Sequence, residues 1–142
     1  MTFHLDAFLP YRLSVAAAQV SRRFAALYGA EAGLSIPEWR VLAHLSQSGA
    51  VSVRDIHARV ALDKSVVSRA ASRLQEAGLV HKSGDEADRR LIALRLSPEG
   101  QALMARLGRV AEEFQASLIA ELGEAAPAFA TALDRLTSDD TG

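Results

Sequence analysis

The stretch Asp63-Lys64-Ser65-Val66-Val67-Ser68-Arg69-Ala70-Ala71-Ser72-Arg73-Leu74 carries the most pointed chemistry in the sequence. Wound as a helix, it puts Lys64, Ser65, Ser68, Arg69 and Ser72 on the face away from Val67, Ala71 and Leu74. Short hydroxyls permit close approach, and lysine or arginine reaches the O6 and N7 acceptors of guanine in a DNA major groove. The N-terminal end of such a helix adds backbone N–H groups and positive dipole, which suit phosphate. Arg73, one turn later, can touch phosphate or pin a neighbouring element. An ordinary amphipathic helix with a solvated face has the same pattern.

A second cluster, Asp85-Glu86-Ala87-Asp88-Arg89-Arg90, forms a polar turn. It separates two strand-like segments, Leu79-Val80-His81-Lys82 and the alternating Ile92, Leu94 and Leu96. Arginines at a hairpin tip can enter a narrow minor groove. Asp88 is suited to pair with an adjacent arginine and shape the loop, leaving one arginine free; loop acids that merely solubilise the turn are the competing view. Charge follows the same division. Residues 1–53 carry a net +1, residues 54–95 a net +3 and residues 96–142 a net −5, and 14 of the 16 basic residues are arginine. A basic middle suits a polyanion, although a surplus of three is a small signal.

The elements that position these groups follow from periodicity. Leu9, Leu13, Ala16, Val20, Phe24 and Leu27 draw an apolar stripe along a helix expected over 7–29, ending at Gly29. Ser35-Ile36-Pro37-Glu38 is a capping box opening a short helix through Trp39, Leu42 and Leu45 that closes near Gly49. Ser52 and Asp55 mark another start, with Ile56 and Val60 inward. Asp63 is placed to cap a helix over 64–77, which Gly78 stops. After the hairpin, Ser97-Pro98 begins a long helix carrying Leu103, Leu107, Val110, Phe114 and Leu118 to about Leu122, and a last helix holds Phe129, Leu133 and Leu136. The expected fold is mainly α with a small β-hairpin wing: a winged helix-turn-helix lobe plus a helical region built from the N- and C-terminal helices. The outer helices are more apolar than one small lobe can cover, so a second copy related by two-fold symmetry is expected to cover them.

At this point the sequence resembles the MarR family of bacterial transcription regulators. The likeness is carried by Leu34 to Leu42, by Ala61 to Arg69, by Leu74 to Val80, by Asp88-Arg89-Arg90 and by Leu94-Arg-Leu-Ser-Pro-Glu-Gly100. It implies one domain over 1–142, with dimerisation helices at 7–33 and 98–136 and a DNA-binding lobe at 34–97. It implies a homodimeric repressor on a pseudo-palindromic operator, with recognition helix 64–77 and a wing over 79–96. Arg90 becomes the minor-groove arginine, Arg89 its neighbour and Asp88 its positioning partner. Ser97 stands where threonine is more usual, and Lys64 where proline is common. The resemblance also implies release from DNA by a small-molecule effector such as an aromatic acid. Arg12, Arg40 and His44 are the candidate polar contacts and Trp39 the aromatic wall, each of which suits the core or the surface equally well.

Other classes find little support. The sequence has no Gly-rich phosphate loop and no Gly-x-Ser-x-Gly elbow, so an enzyme is not expected. With no cysteine there is no thiol switch, and His4, His44, His57 and His81 are too scattered for a metal site. No cofactor is expected. No apolar run approaches membrane length and the N-terminus has no basic lead-in, so a cytoplasmic protein without membrane contact is the expectation.

Overall fold

The structure is a computed structural model that describes residues 2–52, 55–56, 58, 60, 62–84 and 93–138. After a 3-10 turn at Leu5–Ala7 come α1 (Leu9–Ala32), α2 (Ile36–Ser48), β1 (Val51–Ser52), α3 (Lys64–Glu76), β2 (Val80–Ser83), β3 (Ala93–Leu96) and α4 (Pro98–Leu122). A 3-10 turn at Gly123–Ala125 leads into α5 (Ala126–Thr137). Between β1 and α3, Asp55, Ile56 and Ala58 are helical. The fold is mostly helical with a small antiparallel sheet, as the periodicity implies.

The local signals explain most boundaries. The capping box at the head of α2 is formed in both directions: Ser35 Oγ accepts from the Glu38 N–H at 3.3 Å, and Glu38 Oε1 accepts from the Ser35 N–H at 3.0 Å. Ser52 Oγ accepts from the Asp55 N–H at 3.2 Å, which starts the helical turn that follows. Two boundaries differ from expectation. Helix α1 runs through Gly29 to Ala32 and ends on Gly33, whose φ of 68° supplies the left-handed cap. Ala30, Glu31 and Ala32 are good helix formers, and a single glycine does not outweigh them. Asp63 occupies the cap position of α3 with extended backbone, yet its side chain makes no bond to the helix.

The sheet has three strands in the order β1-β3-β2, one more than the expected hairpin. Val51 and Ser52 pair with Leu94 and Ala93, a two-residue strand too short to show alternation. In the hairpin, Val80 pairs with Leu96, His81 with Arg95, Lys82 with Leu94 and Ser83 with Ala93. Side chains alternate across a strand, so Val80 and Leu94 enter the core while His81 and Arg95 leave on the opposite face.

The core lies between α2, α3, the sheet and the first half of α4. Leu42, Leu45, Ile56, Val67, Leu74, Val80, Leu94 and Leu107 are all at most 2% exposed. Each contributes about 1.5–3 kcal/mol relative to leaving it in water. Helix α1 joins through Tyr28, which is buried where the periodicity favoured Leu27; Leu27 is 46% exposed. The first half of α1 and essentially all of α5 present their apolar side chains to solvent, including Leu9, Leu13, Phe129 and Leu133.

Candidate nucleic-acid interface

Helix α3 is divided cleanly by burial. Val67, Ala70, Ala71 and Leu74 are buried, and the helix packs chiefly against α2. The two alanines keep the helices close, and the remaining volume is filled by Leu74 and Val67. On the opposite face Lys64, Ser65, Ser68, Arg69, Ser72 and Arg73 are all exposed. Among the described residues the single side-chain ion pair is Arg23 with Glu121, so Lys64, Arg69 and Arg73 remain uncompensated cations. The structure therefore brings the six helix residues picked from the sequence onto one solvent-facing surface. Its chemistry suits a nucleic-acid groove: two arginines and a lysine spread among short hydroxyls along a helix whose other face is packed into the core.

The hairpin beside α3 is joined to it through the turn at Gly78, whose φ is 76°. Its base is held by Ser97. The Ser97 hydroxyl donates to the Gly78 carbonyl at 2.6 Å and accepts from the Gly100 N–H at 3.0 Å, capping α4 and tying it to the turn that ends α3 at once. Gly100 must lack a side chain, because a Cβ would lie 2.1 Å from the Leu79 carbonyl oxygen. Asp88, Arg89 and Arg90 lie outside the described residues.

Of the nominated effector residues, Arg12 is exposed on the first half of α1, while Trp39, Arg40 and His44 share α2, where each is half-buried. Trp39 is half-buried in an array of rings that the sequence reading did not assemble. It stacks on Tyr28 (5.4 Å, 20°) and meets Phe24 edge-on (5.0 Å, 78°), and Phe24 stacks on Phe114 (5.2 Å, 18°). The i, i+4 spacing of Phe24 and Tyr28 was the available signal. Burial pushes the Tyr28 hydroxyl above its usual pKa; the positive charge of Arg40 opposes this and Glu38 adds to it. His44 Nε2 lies 3.0 Å from Ser48 Oγ, one turn along the helix. Beside the rings, Val20, Ser21, Phe24, Ala111, Phe114 and Gln115 border a groove of about 250 Å³.

Across the same interface Arg23 reaches Glu121 with two hydrogen bonds of 2.7 and 3.2 Å and lies 5.7 Å from the Phe114 ring centroid. These bonds raise the Arg23 pKa and lower that of Glu121. No helix of the described residues is long and apolar enough to cross a membrane.

Comparison with known proteins points the same way. Residues 32–91 match the sequence profile of the MarR family. Over 83 residues the chain is 25% identical to the HTH-type transcriptional regulator FarR of Neisseria gonorrhoeae, a match spanning 58% of this chain and 57% of that regulator's length. Two solved structures align along nearly the whole chain. One is BpsR of Bordetella bronchiseptica, whose DNA binding is regulated by 6-hydroxynicotinic acid. It shares 27% identity and a TM-score of 0.80, over 98% of this chain and 99% of that one. The other is a MarR/EmrR family transcriptional regulator from Acinetobacter sp. ADP1, with 27% identity and a TM-score of 0.82, over 94% of this chain and 95% of that one.

Proposed function

We propose that this chain is a MarR-type transcriptional regulator: a homodimeric repressor of a nearby operon, bound to a pseudo-palindromic operator and released by a small molecule. The observation that carries this reading is the outer face of α3, where Lys64, Ser65, Ser68, Arg69, Ser72 and Arg73 are exposed while the inner face is locked into the core. In the major groove, Arg69 reads a base edge, the hydroxyls contact bases or phosphates, and Lys64 and Arg73 hold the backbone. Arg90 enters the minor groove and Asp88 orients it, with Arg89 on the adjoining phosphates. Residues 34–97 form the DNA-binding lobe.

A second copy is needed for the paired half-sites and for the apolar helices. The chain exposes 9814 Å², against about 7,100 Å² for a compact monomer of its mass. The segments 7–33 and 98–136 carry exposed apolar side chains such as Leu9, Leu13, Phe129 and Leu133 and form the dimer interface. The two recognition helices then stand about 34–36 Å apart, one turn of B-DNA. An effector acts by binding better to a dimer with the wrong spacing than to the DNA-competent one. The regulation of BpsR by an aromatic acid supports an effector of that class here, held by Arg12, Arg40 and His44 against Trp39.

Fluorescence anisotropy on the duplex upstream of the chain's own gene, against a scrambled duplex over a salt series, tests the core of this proposal. The upstream duplex should bind far more tightly, with affinity falling steeply as salt rises. Equal weak binding to the upstream duplex and to the scrambled one would remove the assignment of a local operator.

A further inference from the structure

Helix α3 holds five apolar side chains, and four of them, Val67, Ala70, Ala71 and Leu74, are buried. The fifth, Val66, is half-buried and stands outside the hydrophobic core. Helical winding places it on the flank of the outer face, in one row with Arg69 and Arg73 at spacings of three and seven residues. Valine works against the helix there, since branching at Cβ restricts the side chain and alanine is the better helix former. Val66 has no place in the core to offset that cost. The row it shares is basic. Between Lys64 and Gln75 the helix carries no acid, and among the described residues Lys64, Arg69 and Arg73 form no ion pair. The face thus suits a polyanion that also offers apolar contact. A DNA major groove is such a surface: its phosphates answer the cations, and the 5-methyl groups of thymine are the apolar points on its floor.

We propose that Val66 reads the 5-methyl group of a thymine and so selects a T·A pair beside a guanine contacted by Arg69. The assignment rests on the DNA-binding function proposed above and adds to it a residue that selects sequence without a hydrogen bond. Reach decides which pair is read. Val66 lies three residues before Arg69, about 4.5 Å along the helix axis, and successive base pairs are about 3.4 Å apart. With the helix lying along the groove, the thymine stands one or two pairs from the guanine, on either strand. The stiff χ1 of a β-branched side chain holds both valine methyls in place, where a long flexible chain would lose freedom on docking. Cytosine lacks the methyl and leaves the valine facing a polar ring edge. Ser65 and Ser68 can hydrogen-bond several bases alike, so Val66 and Arg69 carry the discrimination on this part of the face.

The test begins with the full chain, used to select duplexes from a random-sequence pool; binding of the enriched duplex is then followed by fluorescence anisotropy. Each thymine is replaced singly by deoxyuridine, which removes the methyl and keeps the base pairing. A thymine one or two pairs from a guanine should respond with binding weakened about fourfold, the loss of one buried methyl. Replacing that guanine by 7-deazaguanine removes N7 and locates the Arg69 contact, since it should weaken the unmodified chain and leave Arg69→Ala unaffected. In Val66→Ala the preference for thymine over deoxyuridine should vanish at that position, while sensitivity to 7-deazaguanine persists. Val66→Thr nearly keeps the volume and one methyl, so it should retain part of the preference. Unchanged amide NMR signals of core residues such as Leu74 and Leu94 in both variants separate loss of the contact from loss of the fold. An enriched duplex without a methyl-sensitive thymine beside that guanine, or a full preference retained by Val66→Ala, overturns the role of Val66 alone. A pool that yields no enriched sequence overturns sequence-specific binding itself, and the role of Val66 with it.

Discussion

Gly100 and Ser97 show how tightly single residues are specified where α4 leaves the sheet. A methyl group at Gly100 would have to displace the Leu79 backbone, since its Cβ would fall 2.1 Å from that carbonyl oxygen. Gly100→Ala should therefore destabilise the fold by about 1–3 kcal/mol or more in urea denaturation, the range of overpacked cores. The glycine was visible in the sequence as part of a family motif, but its cause was not, because the close approach joins segments about twenty residues apart. Arg69 was legible in both type and placement, since helical periodicity alone puts it opposite Val67 and Leu74. Arg69→Ala should cost about 1–3 kcal/mol on the cognate duplex and relax its specificity. Equal weakening on cognate and random DNA would make it a phosphate contact instead. Tyr28 was missed, because a stripe drawn through Leu27 hides the ring one residue away. Its pKa stands above the ordinary 10.0 as a result of burial, so the fold favours the neutral phenol. That contribution is complete below about pH 10 and lost as pH rises through the elevated value. Tyr28→Phe should remove this part of the alkaline loss of stability, measured by denaturation across alkaline pH.

At the scale of elements, helix starts were read more faithfully than helix ends. Starts are written locally by caps: the Ser35–Glu38 box, Ser52 and Ser97 all make the bonds their spacing announces. Ends depend on competition among several residues, and α1 passes Gly29 because three helix formers follow it. Strand β1 was invisible for a different reason: two residues gain strand geometry only by pairing with β3, a long-range event. Ser97 belongs to this scale because it links two elements. Ser97→Ala removes a helix cap and leaves the Gly78 carbonyl without its 2.6 Å donor. A loss of about 1–3 kcal/mol is expected by thermal or chemical denaturation. Ser97→Thr should restore most of it, since threonine carries the same hydroxyl.

For the molecule as a whole, helix α5 buries none of its large apolar side chains within one chain, and the first half of α1 does the same. The sequence made this unpartnered surface predictable through its apolar stripes; which copy or partner covers it lies beyond any single chain's periodicity. Phe129 and Leu133 are the points to probe. A charge at Leu133, as in Leu133→Glu, should shift sedimentation toward the monomer mass while circular dichroism of the winged lobe persists, and operator affinity should fall with the loss of the paired half-site. Retention of the dimer would move the interface away from α5.

The two faces of α3 answer to different demands. Val67, Ala70, Ala71 and Leu74 fix how the helix sits, and Lys64, Ser65, Ser68, Arg69 and Ser72 take no part in that packing. Substitutions on the outer face thus leave the scaffold's free energy nearly untouched. After gene duplication, such a helix can accumulate new outer residues by neutral drift and acquire a different target sequence without passing through an unfolded intermediate. The fold supplies a mount, and the lettering on it is free to be rewritten.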